Sequence, residues 1–241
     1  MNRQRVPAWL ALGLPASAVL FNVAWLVLGF ISPGFTIWGT EIAPYSPISA
    51  GISGLGLGLT APYMNAAFIV SGLLVFAGVA GSVWNIPELS ARDRWLCFCL
   101  LGVLLAVGLV TDGVFTLESM MFHLAGFAVG VGGSVPGFLV VGVILRRIPG
   151  WRGLGNGLIA AAPLTLVLMV LYLVTFSPTA AGAKHGISGL VERGLVVELF
   201  VWLAAVGWTA FRWRSAETST RSGASRRLPT IRNSSRSRTS V

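Results

Sequence analysis

Ionisable side chains are so sparse in this chain that those outside its basic segments mark where chemistry could be done. Asp112, Glu118 and His123 fall within twelve residues, in LVTDGVFTLESMMFHLAG, between two long apolar runs. Glu192, Arg193 and Glu198 form a second group at the start of the last apolar run. A carboxylate near an imidazole can hold or pass a proton, anchor a polar ligand, or tie two helices together. Ser49, Ser53 and Asn65 would add polar lining. A metal site would need His123 and His185, the only two histidines, to converge with a carboxylate, and no HxxxH or HExxH spacing supports that. The expectation is a ligand-binding or structural polar cluster of Asp112, His123, Glu192, Arg193, Glu198, Ser49, Ser53 and Asn65. No catalytic residue, cofactor or metal is expected, with His123 and His185 the weak candidates for a metal.

The segments that must position these groups follow from composition. Of 241 residues, 55% are hydrophobic and 10% charged, with mean hydropathy +0.80. A soluble domain carries about 25% charged residues, so this chain could not cover a water-facing surface. It reads as an all-α, polytopic membrane protein whose apolar runs cross the hydrocarbon as helices at about 9–31, 62–84, 95–111, 119–145, 154–176 and 193–213. The first run continues well past Ala16-Ser17-Ala18, so it reads as an uncleaved span and not a signal peptide. Residues 1–213 form one domain, and 214–241 read as a disordered basic tail.

Orientation follows from the basic residues. Fifteen of the seventeen lie at the N-terminus, in the loops at 85–94 and 146–153, or from Arg212 onwards; only Lys184 and Arg193 lie on the other side. That alternation places both termini in the cytoplasm of a cell membrane. The net charge of +9 thus reports membrane orientation and implies no nucleic-acid partner, while the tail could touch anionic lipid headgroups. Membrane lipids are the expected partners, and oligomeric state is not legible. On this topology Glu41, Asp112, Glu118, His123, His185, Glu192 and Glu198 gather toward the outer face. Charged groups at mid-bilayer cost about 2.5–3.5 kcal/mol on insertion scales and are functional candidates by default.

Local patterns refine the picture. His123, Gly126, Gly130, Gly133 and Gly137 share one face of the fourth span, where a neighbouring helix can approach closely. Pro136 should kink that span. The connection from Ser32 to Ala61 holds three prolines and then ISAGISGLGLGLT, which reads as an ordered cap; no lysine follows to make a phosphate loop. Asn22 and Asn65 should hydrogen-bond between helices. Trp9, Trp84, Trp95, Trp151 and Trp213 should anchor cytoplasmic helix ends. Cys97 and Cys99, two apart, point to different faces and form no disulfide framework or thiolate site.

Three passages together resemble the prokaryotic six-helix membrane proteins of domain of unknown function 998. They are Tyr45-Ser46-Pro47-Ile48-Ser49 continuing through Ile52-Ser53-Gly54-Leu55-Gly56 to Pro62 and Asn65; Asp112 in LVTDG with His123 after it; and Gly189-Leu190-Val191-Glu192-Arg193. The resemblance spans about residues 8–213. Gly54 stands where the family often has an acid, and Val110-Thr111 where it often has Phe-Pro. The resemblance implies the six-helix fold and no activity. The favoured expectation is a non-enzymatic protein that binds a lipid or small molecule in an outward-facing polar pocket. The alternatives are a proton-coupled carrier and a membrane-embedded metal-dependent hydrolase.

Overall fold

The computed structural model describes residues 6–225, with side chains through Arg214. Arg3, Arg5 and the tail from residue 226 lie outside the described residues. Six helices are long and apolar enough to cross a membrane: α1, Ala8–Ile31; α2, Gly58–Val83; α3, Ala91–Val114; α4, Leu117–Leu145; α5, Arg152–Thr175; and α7, whose apolar part is Ser188–Arg214. The last helix is described to Ser225, into the segment read from the sequence as tail. A short helix α6, Pro178–Gly182, lies between α5 and α7. Among the described residues there is one hairpin, β1 (Phe35–Ile37) and β2 (Thr40–Ile42), which pairs antiparallel with Phe35 opposite Ile42.

Each long helix packs on its neighbours in sequence, and α7 closes the ring against α1 while also touching α2. Leu14, Phe21, Met64, Val75, Leu101, Phe138, Leu158 and Leu203 fill the interior. Phe21 stands edge-on to Phe68 at 4.8 Å and stacks on Phe200 at 5.1 Å, tying α1, α2 and α7 together. One end of the bundle carries the hairpin, the 45–57 segment and α6; we call it the hairpin end. The opposite end carries the turns at 84–90 and 146–151 with their arginines. There Arg94 closes the first turn by donating to the carbonyls of Val83, Ile86 and Leu89 at 3.1–3.3 Å.

The cap over the hairpin end is built from the Ser32–Ala61 connection. Prolines at 33, 44 and 47 keep it out of helix, and 3₁₀ turns at Ile52–Gly56 and Gly58–Thr60 lead it into α2. Ile37, Ile42, Ile52 and Leu55 are almost fully buried, so this connection is core and not a surface loop.

The glycine face of α4 meets α3. A methyl group on Gly108 would strike the Gly130 Cα and the Gly126 carbonyl, so the two backbones touch. One on Gly126 would strike Asp112, and one on Gly137 would press Leu101. Both helices contain a π-wound stretch, at Phe98–Val103 and Ala128–Gly132. The second directly precedes Pro136, whose ring cannot accept regular winding against the carbonyl of Gly132.

Two polar expectations are corrected. Asn22 does not bridge helices: it donates to the Ala18 carbonyl one turn back and accepts from Trp25 Nε1, so both its groups are taken within α1. Asn65 donates instead to the Gly56 carbonyl of the cap at 3.3 Å. Among the tryptophans, Trp9 and Trp95 are exposed, but Trp151 is fully buried against Trp213, so it is core and not an interfacial anchor.

Replacing Gly108 by Val should lower the unfolding free energy by about 1–3 kcal/mol through overpacking. Gly194, where a methyl group meets nothing within 4 Å, should accept Ala with no loss. Thermal unfolding of the two variants in detergent, followed by circular dichroism, checks the contrast.

Candidate functional site

The cap runs over the bundle with unpaired backbone groups, and the first turn of α7 supplies partners for them. Gly189 lets α7 approach: a methyl group there would strike the carbonyls of Pro47 and Ala50. The Leu190 amide then donates to the Ile48 carbonyl at 3.0 Å, and the Ser188 hydroxyl to the Ser49 carbonyl at 2.8 Å. Arg193, 7% exposed, takes the remaining carbonyls. Its Nη1 donates to Pro47, Ala50 and Gly189 at 2.7–3.1 Å, and its Nη2 donates to the Tyr45 hydroxyl. The guanidinium also lies over the Trp25 ring, 5.2 Å from its centroid, and that ring is held by its Nε1 donating to Asn22.

Glu192, next in sequence and about 100° away around the helix, faces the amides. Its Oε2 accepts from the Ile52 N–H at 2.7 Å, and its Oε1 from the Ser53 N–H at 3.3 Å and the Ser53 hydroxyl at 3.1 Å. A methyl group on Gly51 would strike this carboxylate and come 3.6 Å from the Tyr172 hydroxyl, so glycine is required for the approach. Arg193 therefore does not neutralise Glu192 or Glu198 through a direct ion pair; the neighbouring side chains diverge, each to backbone of its own complementary sign.

His123 enters from α4. Its Nδ1 is 2.8 Å from the Phe115 carbonyl and its Nε2 3.1 Å from the Ser53 Oγ. Asp112, from the end of α3, places Oδ1 3.8 Å from His123 Nδ1, too far for a hydrogen bond, and that oxygen has no other partner. The Phe115 carbonyl can only accept, so Nδ1 carries a hydrogen. One serine hydroxyl hydrogen then leaves two complete arrangements along His123–Ser53–Glu192. Either an imidazolium donates to Ser53, which donates to a carboxylate, or a protonated Glu192 donates to Ser53, which donates to a neutral imidazole. A concerted shift of two hydrogens interconverts them.

Ser53 also lines two small cavities, of about 20 and 40 Å³, which share Leu117, Tyr172 and Phe176. The smaller, under the hairpin, includes Ser49, whose hydroxyl is buried and unpartnered. The larger lies between α4 and α5, walled by Leu124, Phe127 and Leu173 beside His123. Each has room for only a few waters, so the site as it stands admits no larger ligand.

Of the expected residues, Asp112, His123, Ser53, Glu192 and Arg193 converge, and Ser49 borders the same space. Glu198 does not join them. It accepts from Thr165 Oγ1 at 2.9 Å between α5 and α7, since six residues along α7 place it about 9 Å deeper. Asn65 braces the cap, as above. His185 is exposed in the α6–α7 connection, whereas His123 is buried, so the two are not partners. Among the described residues no three His, Cys, Asp or Glu side chains converge on a metal-sized site. The sequence reading missed Tyr172, which lies in an apolar run with no polar neighbour to flag it. It also missed the backbone partners at Phe115 and Ile52, which carry no side-chain signal at all.

Residues 15–209 match a family described as a protein of unknown function, DUF998. No curated protein and no solved structure matches the chain.

Two outcomes follow from the Arg193 clamp. Arg193→Ala leaves buried carbonyls unpaired and should lower the unfolding free energy by about 1–3 kcal/mol for each one left without a donor. Arg193→Lys should restore only part, since an ammonium cannot span the fork of acceptors. Burial pushes the Tyr45 phenol up to about 12, against the pull of Arg193 beside it. Because that value exceeds the ordinary 10, stability is fully present below pH 10 and should fall as pH rises toward 12. Tyr45→Phe should flatten this alkaline slope in the same thermal assay.

Proposed function

Because the chain belongs to the DUF998 family, we propose from its own geometry a membrane protein that binds the polar part of a lipid or small molecule at its hairpin end. The observation that carries this reading is Ser53, whose hydroxyl is held between His123 and Glu192 and borders both cavities. The walls around it are apolar, with a polar floor, the profile of a ligand that has one hydrogen-bonding group and a hydrocarbon remainder. Leu124 and Leu173 are about half exposed on the outer wall between α4 and α5, the side from which such a ligand would arrive out of the bilayer. Binding requires the cavities to merge and widen. In this reading the protein sits in the cell membrane with the hairpin end outside and both termini in the cytoplasm, as the distribution of basic residues supports. The tail's contact with anionic lipid rests on charge alone.

A second reading, a proton-coupled carrier, draws support from the proton shared along His123–Ser53–Glu192, with Glu198 the next carboxyl deeper in the bundle. Uptake into proteoliposomes that ignores an imposed pH gradient would remove it.

The binding reading is tested on protein purified in mild detergent. Lipid extraction and native mass spectrometry should find a co-purified ligand, reduced at least several-fold in His123→Ala and Asp112→Asn variants that remain folded. Equal occupancy in both variants would overturn it. A reporter fused at Gly39 should be active outside the cell, and one after Arg214 inside.

A further inference from the structure

We propose that Ser53 is an acyl-transfer nucleophile with His123 as its general base, acting on the carboxylic ester of a lipid. The inference rests on the binding site described above and takes it from holding a ligand to cleaving one.

Four parts of that chemistry stand within reach of one hydroxyl. Ser53 Oγ and His123 Nε2 are 3.1 Å apart, the distance of a nucleophile from its base. The other ring nitrogen is fixed as a donor by the Phe115 carbonyl at 2.8 Å, so Nε2 is the nitrogen left to accept. The Asp112 carboxyl, with its unpartnered Oδ1, is 3.8 Å from that ring, where positive charge would form. The N–H groups of Ile52 and Ser53 both face the Glu192 carboxyl beside Oγ, the first donating to Oε2 at 2.7 Å and the second to Oε1 at 3.3 Å. The Glu192 carboxyl occupies both donors now, one oxygen on each, so two adjacent amides are open to a carbonyl oxygen that takes its place.

Glu192 accounts for the closed state. In the arrangement where it is protonated, Ser53 donates to the neutral imidazole, and the pair is set for attack. An uncharged carboxylic acid also leaves the two amides at lower cost than a carboxylate. As it withdraws, an ester carbonyl oxygen can take its place. The acyl chain would lie against Leu124, Phe127, Leu173 and Phe176 between α4 and α5.

The step balances without a further cofactor. Ser53 Oγ bonds to the ester carbonyl carbon as its proton passes to His123 Nε2, and the oxyanion is held by the two amides. Collapse breaks the carbon–oxygen ester bond, and the leaving alkoxide takes the proton from Nε2 and departs as the alcohol. Water then adds to the acyl–Ser53 ester, giving its proton to Nε2. The carboxylic acid leaves and the proton returns to Ser53.

The full-length protein in detergent is treated with an alkyl fluorophosphonate of short chain and one of long chain. Attack by Ser53 forms an oxygen–phosphorus bond and expels fluoride. Peptide mass spectrometry should find the adduct on Ser53, and Ser53→Ala should abolish it. His123→Gln should slow labelling by about 10²–10⁴-fold. Asp112→Asn should still label, with a displaced pH profile, as a positioning residue would. No adduct on Ser53 with either probe in folded protein, or equal labelling in His123→Gln, would overturn the proposal. Retained co-purified ligand in that case would show that binding stands and only the nucleophile fails.

Discussion

The structure depends on how backbone polar groups are satisfied where water cannot reach them. A chain crossing hydrocarbon as helices pairs its amides and carbonyls internally, but an irregular segment folded onto the end of the bundle does not. The 45–56 segment is such a segment, and its buried Ile52 and Leu55 hold it against the core. Adjacent residues of α7 resolve the problem by sign. Arg193, all donors, takes the carbonyls of Pro47 and Ala50; Glu192, all acceptors, takes the amides of Ile52 and Ser53. Two opposite charges side by side in sequence would cancel in water as a modest surface pair. Here they are separated by the helix turn, and each is compensated by oriented backbone dipoles, which is what lets both lie nearly fully buried.

That clamp fixes where Ser53 sits, and an unrelated contact fixes what Ser53 meets. The backbone contact between Gly108 and Gly130 sets the depth of α4 against α3, and with it the height at which His123 projects. The imidazole therefore reaches the cap from one side while Glu192 reaches it from the other, and the serine hydroxyl stands between them. Helices α3 and α4 on one flank, α7 on the other, and the cap above are coupled through this one oxygen. A shift in any of them changes the hydrogen-bond chain before it changes the core.

The six spans were legible because the length of an apolar run and its charge depletion are properties of single segments. The glycine face of α4 was legible for the same reason, since helical period alone puts Gly126, Gly130, Gly133 and Gly137 together. Asp112, His123, Glu192 and Arg193 could be singled out because ionisable groups in such runs are rare. What they pair with could not. Most of the partners are backbone atoms, at Pro47, Ala50, Ile52, Ser53, Phe115 and Gly189, and sequence pattern carries no sign of a backbone partner. Arg193 turns to carbonyls of a non-helical segment and not to the carboxylate beside it in sequence, which no spacing could have indicated. Glu198 was grouped with the cluster because the sequence gives its position along α7 but not which neighbour faces it, and Thr165 of α5 holds it elsewhere.

The two proton arrangements have the same total charge, and that bears on what the site can do. Moving a proton between His123 and Glu192 through Ser53 requires no ion to enter or leave the low-dielectric interior, where an uncompensated charge would be costly. The shift instead exchanges an ion pair for two neutral groups, and the balance between them is set by what surrounds each end. At one end the amides of Ile52 and Ser53 favour a carboxylate. At the other, Asp112 stands 3.8 Å from the ring with an oxygen that has no hydrogen-bond partner. A ligand carbonyl that competed for those amides would weaken the hold on the carboxylate, drive the proton to Glu192, and leave Ser53 donating to a neutral imidazole. The same polar group that a ligand would bring to satisfy the cap would thus also arm the hydroxyl beside it, which is why binding and bond cleavage are readings of one geometry.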